Sequence, residues 1–170
     1  EKLDLPAGRN LVCRRAESDA AQIHMMLEAI DAAQERGFDP VWDVQPLAAV
    51  NAKSPLSRRL LNEVMQAEHN SAGRRAGDNP FRVGDKIVCT KNGFLPLLDE
   101  SNPPPDSRDG KVFVANGELA EVVDVEPKRT VAKLENPARV IVIPRGEPKA
   151  DGEDGDEDEG PKTGCSWDLG

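Results

Sequence analysis

The sequence predicts two architectures in one chain: an incomplete α/β layer followed by a small β-barrel. The first half alternates short apolar runs with helical patterns of apolar residues, whereas the second half contains only short β-rich runs separated by turn residues. The change falls at residues 71–78, a basic segment with two glycines that is typical of a linker. We therefore predict a strand–helix–strand–helix layer over residues 1–70 and a barrel over residues 79–146.

The first strand and helix of the layer are predicted from residues 9–37. Residues 9–14 have strand character, and Ser18 is placed to cap a helix. The helix would have one apolar stripe and would end at Gly37, since glycine favours the left-handed conformation at a helix end. The stripe consists of Ile23, Met26, Leu27 and Ile30.

A second strand and helix are predicted from residues 41–70. Residues 41–48 form a largely apolar run of strand length, in which Pro46 removes one ladder donor. Ser54 or Ser57 could cap the helix that follows, which has an apolar stripe of Leu56, Leu60, Leu61, Val64 and Met65. Strands and helices in this order imply a parallel sheet with right-handed crossovers. Four elements are too few for a complete domain, so we expect a piece of a larger protein.

The second half predicts five strands, a number that suits a barrel of the SH3 type. Asn116-Gly117 predicts a hairpin between the second and third of them, because a type I′ turn needs positive φ at both central residues. Residues 93–110 contain four prolines and are predicted as a loop long enough to be functional. The strands are expected at about 86–91, 111–115, 118–125, 130–134 and 139–143.

The net charge of −9 comes mostly from one acidic run. Residues 151–159 contain seven acids and no base, and without them the chain would stand at −2. Glycines dilute the run, which cannot bury apolar surface, so we predict a disordered loop over residues 147–163. A calcium loop is the alternative, but Glu159 stands where such a loop needs glycine for its sharp turn.

Cysteine and histidine usage predicts a reducing compartment and no metal site. Cys13, Cys89 and Cys165 are odd in number and far apart, which argues against a disulfide framework. His24 and His69 are isolated from each other and from the cysteines. No apolar run approaches the roughly 20 residues that span a bilayer. We therefore expect a cytoplasmic protein without a membrane partner.

Two stretches resemble parts of RecD-like DNA helicases of superfamily one. Residues 43–48 (Asp-Val-Gln-Pro-Leu-Ala), followed by a basic loop and Leu61-Asn62-Glu63, are similar to the motif IV segment of that family. Residues 81–88 (Phe-Arg-Val-Gly-Asp-Lys-Ile-Val), then 90–92 (Thr-Lys-Asn) and 114–118 (Val-Ala-Asn-Gly-Glu), resemble the small barrel inserted in its second RecA-like domain. The two matches occur in the family's order, although Pro46 departs from the usual apolar residue.

The resemblance implies a fragment of an ATP-dependent motor that moves along single-stranded DNA. Residues 1–70 would begin the second RecA-like domain, residues 79–146 would be the inserted SH3-like barrel, and residues 164–170 would return to the RecA-like domain. ATP and Mg²⁺ would be cofactors of the complete enzyme. The chain has no Gly-x-x-x-x-Gly-Lys-Ser/Thr phosphate loop, so we expect no catalytic residue here and no ATP hydrolysis by the fragment alone.

The same resemblance implies site residues, each of which also has a plain structural interpretation. Gln45 would lie near the nucleotide cleft, or would only end a strand. Lys53, Arg58 and Arg59 would bind DNA phosphate near a helix N-terminus, or would form a solvated helix face. Lys91 and Asn92 would touch the DNA backbone, or would make a turn. We predict DNA binding by Lys53, Arg58, Arg59, Lys91 and Asn92.

Aromatic side chains are a further candidate surface for bases. Phe81, Phe94 and Phe113 could stack on bases. Because only 4% of the residues are aromatic, the core has the first claim on all three.

Three functions are compatible with these features. The first is a helicase fragment that contributes single-stranded DNA contacts and docking of domains or partners. The second is a free-standing barrel module that binds a protein or RNA segment. The third, a small independent enzyme, ranks last because no nucleophile–base pair or metal cluster stands out.

Overall fold

A computed structural model describes residues 12–49, 54–99, 101, 103–145 and 166–169, and the chain divides into two compact units between Ser71 and Ala72. The first unit contains helices and irregular segments, and the second contains a five-stranded antiparallel sheet and a two-stranded one. The division coincides with the start of the predicted linker. No helix in the described ranges is long and apolar enough to cross a membrane.

The first helix, α1, spans Asp19–Gln34 as the sequence predicts. The Ser18 hydroxyl accepts a hydrogen bond from the Ala21 N–H at 3.1 Å, which satisfies one of the donors left free at a helix start. Gly37 follows the last turn with φ +88°, a conformation that glycine adopts without strain. Ile30, from the predicted stripe, is the buried residue of this helix.

The second helix, α2, spans Arg58–His69 and ends near Asn70 as predicted, but Leu56 of the predicted stripe lies before its start. Of the two candidate caps, Ser57 is the N-cap, and its hydroxyl accepts from the Leu60 N–H at 3.4 Å. Ser54 instead accepts from the Leu56 N–H at 3.2 Å, one turn earlier. Leu61 is buried, and Asn70 ends the helix.

The predicted strand at residues 41–48 is wrong, because this segment is a turn followed by irregular chain. The Asp39 carboxylate accepts from the Val41 N–H at 2.7 Å and the Trp42 N–H at 3.1 Å. The Asp43 carboxylate accepts in return from the Asp39 N–H at 2.8 Å. These bonds occupy donors that a ladder would need, and Pro46 has none.

The first predicted strand is also not formed where the structure can test it. Residues 12–14 are irregular, and residues 9–11 lie outside the described ranges. Neither residues 12–49 nor residues 54–71 contain a strand, so the described part of this unit forms no parallel sheet.

The described part of the second unit contains seven strands, and the five predicted ones are confirmed to within a residue or two. Its main sheet is antiparallel throughout, in the order β6-β5-β4-β1-β7, and β2 pairs with β3 in the second sheet. The strands are β1 (Lys86–Lys91), β2 (Gly93–Pro96), β3 (Lys111–Val114), β4 (Leu119–Glu126), β5 (Arg129–Glu135), β6 (Ala138–Pro144) and β7 (Ser166–Leu169).

The two sheets enclose one apolar core but do not close into a barrel through the described ladders. A single bridge between Leu97 and Ile141, with a hydrogen bond from the Leu98 N–H to the Val140 carbonyl at 2.9 Å, joins the β2 end to β6. Alternate residues of the strands supply the core, as period-two alternation requires. Its fully buried members include Ile87, Val112, Val114, Val122 and Ile141.

The predicted hairpin at Asn116-Gly117 is wrong, although the turn exists. β3 pairs with β2, whereas β4 pairs with β1 and β5, so the two strands flanking the turn part into different sheets. The Glu118 N–H donates to the Ala115 carbonyl at 3.1 Å, and only Gly117 has positive φ, +91°. A type II turn has this pattern, and a type I′ turn does not.

A tight turn with positive φ at both central residues occurs instead at Asp109-Gly110. Their φ angles are +51° and +69°. Arg108 and Lys111 on either side exchange backbone hydrogen bonds of 2.8 and 2.9 Å. Asp-Gly is one of the preferred pairs for such a turn.

Two segments join the β unit against expectation. Gly93–Pro96, predicted as the start of a loop, is a strand, and Pro96 is tolerated there because β2 is an edge strand of a two-stranded sheet. Ser166–Leu169, which the resemblance assigns to a returning RecA-like domain, pairs antiparallel with β1 at the sheet edge. Trp167 and Leu169 of this strand pack against the apolar core, and this packing favours the position of β7 beside β1. The predicted acidic loop at residues 147–163 lies outside the described residues.

One fully buried polar side chain, Asn79, ties the segment directly after the linker to the sheet. The Asn79 amide nitrogen donates to the Glu126 carbonyl and to the Thr130 hydroxyl, both at 3.0 Å. Its oxygen accepts from the Phe81 N–H at 3.1 Å. Asn79 and Thr130 are both 0% exposed, so these bonds replace water that cannot reach the site.

Candidate nucleic-acid interface

The candidates of the first unit lie on α2 and on the irregular segment before it. Gln45 is exposed in the irregular segment and donates to the Pro46 carbonyl at 3.3 Å. Arg58 is the first residue of α2, and Arg59 is exposed with its Nε 3.3 Å from the Glu63 carboxylate. Lys53 lies outside the described residues. The strand that was to present Gln45 at its end is not formed.

Lys91 and Asn92 lie at the end of β1, where the chain passes from one sheet to the other. Lys91 is exposed. The Asn92 carboxamide oxygen accepts from the Asn116 N–H at 2.6 Å, so this side chain holds the turn between β3 and β4. Asn92 thus bonds to a turn 24 residues away and not to its own neighbours, and DNA contact by Lys91 and Asn92 stays a prediction.

The β2–β3 pair carries an exposed pair of aromatic side chains, although the low aromatic content predicted both in the core. Phe94 and Phe113 are register partners on the two strands and are 48% and 39% exposed. Their ring centroids are 5.4 Å apart and their planes meet at 63°, an edge-to-face arrangement. Of the three candidate phenylalanines, only Phe81 belongs to the core.

The neighbouring row on the same side of the pair is cationic. Lys111 lies two residues before Phe113 on β3, and its register partner on β2 is Pro96. On its other side Lys111 is bridged to Arg108. Directly opposite residues of antiparallel strands point to the same face, so Arg108 and Lys111 share the face of the aromatic pair. We call this surface, made of Phe94, Pro96, Arg108, Lys111 and Phe113, the hairpin face.

The other side of the same two strands is buried, which fixes the orientation of the hairpin face. Leu95 and Val112 are register partners with exposed fractions of 1% and 0%. Because side chains alternate along a strand, the burial of these two requires Phe94 and Phe113 to point outward. Residues 94–97 are Phe-Leu-Pro-Leu, all apolar, so the sequence holds no alternation that would indicate which side of this strand is exposed.

A buried ion pair supports the hairpin face from behind. The Arg139 side chain, 3% exposed, places Nη2 2.5 Å from a Glu118 carboxylate oxygen and 3.3 Å from the Phe113 carbonyl. The other Glu118 oxygen accepts from the Ala115 N–H at 2.9 Å. This network connects β6 to the end of β3 and holds the backbone of Phe113 in place.

Three acids lie in the segments next to the hairpin face. Asp109 occupies the turn between Arg108 and Lys111, and Asp106 is exposed two residues before Arg108. Hydrogen bonds from the Ser101 hydroxyl and the Ser101 N–H lower the pKa of the Asp99 carboxyl, which is therefore ionised at neutral pH. These carboxylates weaken the attraction of the two cations for an anion.

The described residues contain no group of three or more histidine, cysteine, aspartate or glutamate side chains that could hold a metal ion. The hairpin face places aromatic rings beside cations. No protein-family model matches the chain, and neither does any curated protein or solved structure.

Proposed function

We propose that this chain contributes contacts to single-stranded DNA as a fragment of a RecD-like helicase of superfamily one. In this proposal residues 1–70 belong to the second RecA-like domain, and the β unit is the counterpart of the SH3-like barrel inserted in it. ATP and Mg²⁺ would act in the complete enzyme, and residues of this chain would position the strand. Docking of other domains or protein partners would use the same β unit.

One observation carries the proposal: the separate runs that resemble the helicase barrel meet in one place. The Gly117 N–H donates to the Cys89 carbonyl at 2.7 Å, and the Cys89 N–H donates to the Glu118 carbonyl at 2.8 Å. Asn92 bonds to the same turn. Runs 81–88, 90–92 and 114–118 thus form one continuous structural unit, which supports a common origin for their likeness to the family.

Lys91 stands exposed at this junction and supplies the expected contact to phosphate. A single lysine neutralises one phosphate and releases its counterion, so binding to DNA should weaken as salt rises. The contact carries no sequence information, because phosphates are the same at every nucleotide. We therefore expect weak binding that is sensitive to salt and indifferent to sequence.

The test is a titration of the whole chain with a fluorescent oligothymidylate of about 20 nucleotides at low salt. Lys91→Glu should weaken binding about three- to tenfold and flatten the salt dependence, and charge reversal at Lys53 should also weaken it. Lys128→Glu, at an exposed residue between β4 and β5, is the matched control. Failure of the parent chain to bind the strand would contradict the proposal, and tighter binding to an RNA of the same length would favour the free-standing module.

A further inference from the structure

We propose that the hairpin face is a stacking site for unpaired bases of single-stranded DNA. This inference deepens the proposed function and rests on it, because it names the atoms that would recognise the strand. The stacking groups are the rings of Phe94 and Phe113, and the phosphate contacts are the cations of Arg108 and Lys111.

The exposure of the aromatic pair is the first reason. Phe94 and Phe113 project from strands whose other side already fills the core with Leu95 and Val112. Two half-exposed rings side by side leave apolar surface in water, which costs free energy in the unbound protein. Burial of that surface under a flat apolar partner would recover this cost.

The geometry of the rings is the second reason. Since the planes meet at 63°, one flat partner can lie parallel to one ring only. Each ring can therefore stack on a separate base, and successive bases of a flexible strand can take different tilts. A duplex cannot use such a site, because its bases are already stacked on each other.

The charge of the neighbouring row is the third reason and selects the occupant. Arg108 and Lys111 lie one row from Phe113, a distance of about 7 Å along the strand, which long side chains can bridge. A nucleic-acid strand contains bases and phosphates side by side. The rings would bind the bases, and the neighbouring cations would bind the phosphates. An apolar peptide would use the rings and leave both cations without partners.

The distinguishing experiment compares two oligomers of equal length, one of thymidylate and one abasic throughout. Both have the same phosphates, so the ratio of their affinities isolates the bases. The parent chain should bind the thymidylate oligomer at least about fivefold more tightly, because stacking on one aromatic ring has an effect of this size. Phe94→Leu and Phe113→Leu should each reduce that ratio towards one, since leucine retains apolar volume but has no ring.

Matched variants distinguish the effect of the aromatic ring from effects on folding, and the effect of charge from that of the ring. Phe94→Trp restores a ring and should keep the ratio, and Val123→Ala, at an exposed apolar residue of β4, should leave it unchanged. Lys111→Gln should weaken binding of both oligomers equally. Asp109→Asn should strengthen both equally, because asparagine keeps the positive φ of this turn and removes a negative charge.

The outcomes distinguish this inference from the proposed function. If the parent chain binds both oligomers equally, or if Phe94→Leu and Phe113→Leu keep the parental ratio, the stacking site is overturned and strand contact by Lys91 stands. If the parent chain binds neither oligomer, the proposed function falls and this inference falls with it. Unchanged far-ultraviolet circular dichroism of each variant confirms that the fold is intact.

Discussion

Replacement of Asn79 by alanine tests whether one buried amide holds the segment after the linker on the sheet. The alanine variant loses both donor bonds of the amide and its acceptor bond to the Phe81 N–H. The site is 0% exposed, so water cannot replace the lost partners without a rearrangement. In the variant, the Phe81 N–H and the Glu126 carbonyl therefore lose the hydrogen bonds that the Asn79 side chain makes to them.

The expected cost is about 3 kcal/mol, from three hydrogen bonds at about 1 kcal/mol each. For a domain of about 100 residues, each kcal/mol lowers the melting temperature by roughly 4–8 °C, so we expect a fall of roughly 12–24 °C. Asn92→Ala is the matched control, because Asn92 is exposed and makes one backbone hydrogen bond. Its cost should stay near or below about 1 kcal/mol.

The assay is urea unfolding followed by circular dichroism, with melting as a second measure. Asn79→Asp adds a pH readout, because burial beside the Glu126 carbonyl should raise the pKa of the introduced carboxyl. A raised pKa in the folded state means that the carboxylate destabilises the fold at neutral pH, and that this penalty shrinks as the pH falls. A loss for Asn79→Ala no greater than that for Asn92→Ala would refute the reasoning.

Two other changes give clear expectations. Arg139→Met should cost about 2–4 kcal/mol in urea unfolding, because it strands the Glu118 carboxylate in a site where it is only 26% exposed, and Glu118→Gln in the same background should recover part of the loss. A full loss in the double variant would show that the cost comes from the other contacts of Arg139 and not from the ion pair; these are the packing of its stem and its hydrogen bonds to the Pro137 and Phe113 carbonyls. Deletion of residues 151–159 removes seven acids and should leave the melting temperature of the chain nearly unchanged while it strengthens binding to DNA. A fall of more than a few degrees would contradict the disordered-loop prediction.

Helix positions were well predicted because their signals are local. Ser18 and Ser57 cap the helices through bonds to residues three positions along, and Gly37 ends α1 through its own φ angle. The strands of the β unit were found for the same reason, since alternation of apolar residues is a property of a few neighbouring positions. Each of these features needs nothing from a distant part of the chain.

Strand pairing was predicted poorly because it depends on distant partners. Asn116-Gly117 has the composition of a hairpin turn, but Val112 and Val114 meet β2 while Ala120 and Val122 meet β1 and β5. The same tertiary pairing turns Gly93–Pro96 into a strand and recruits Ser166–Leu169 across more than 70 residues of chain. The apolar run at 41–48 failed for a local reason, since the carboxylates of Asp39 and Asp43 close a turn there.

The same distinction between local signals and distant partners applies to the candidate site. The sequence by itself determined the helices and most of the strands, because caps and alternation act within a few residues. Only the tertiary structure decided that Phe94 and Phe113 face solvent together beside Arg108 and Lys111, while Phe81 is buried. Which face of a strand is covered depends on what packs against it, and that partner is distant in the chain.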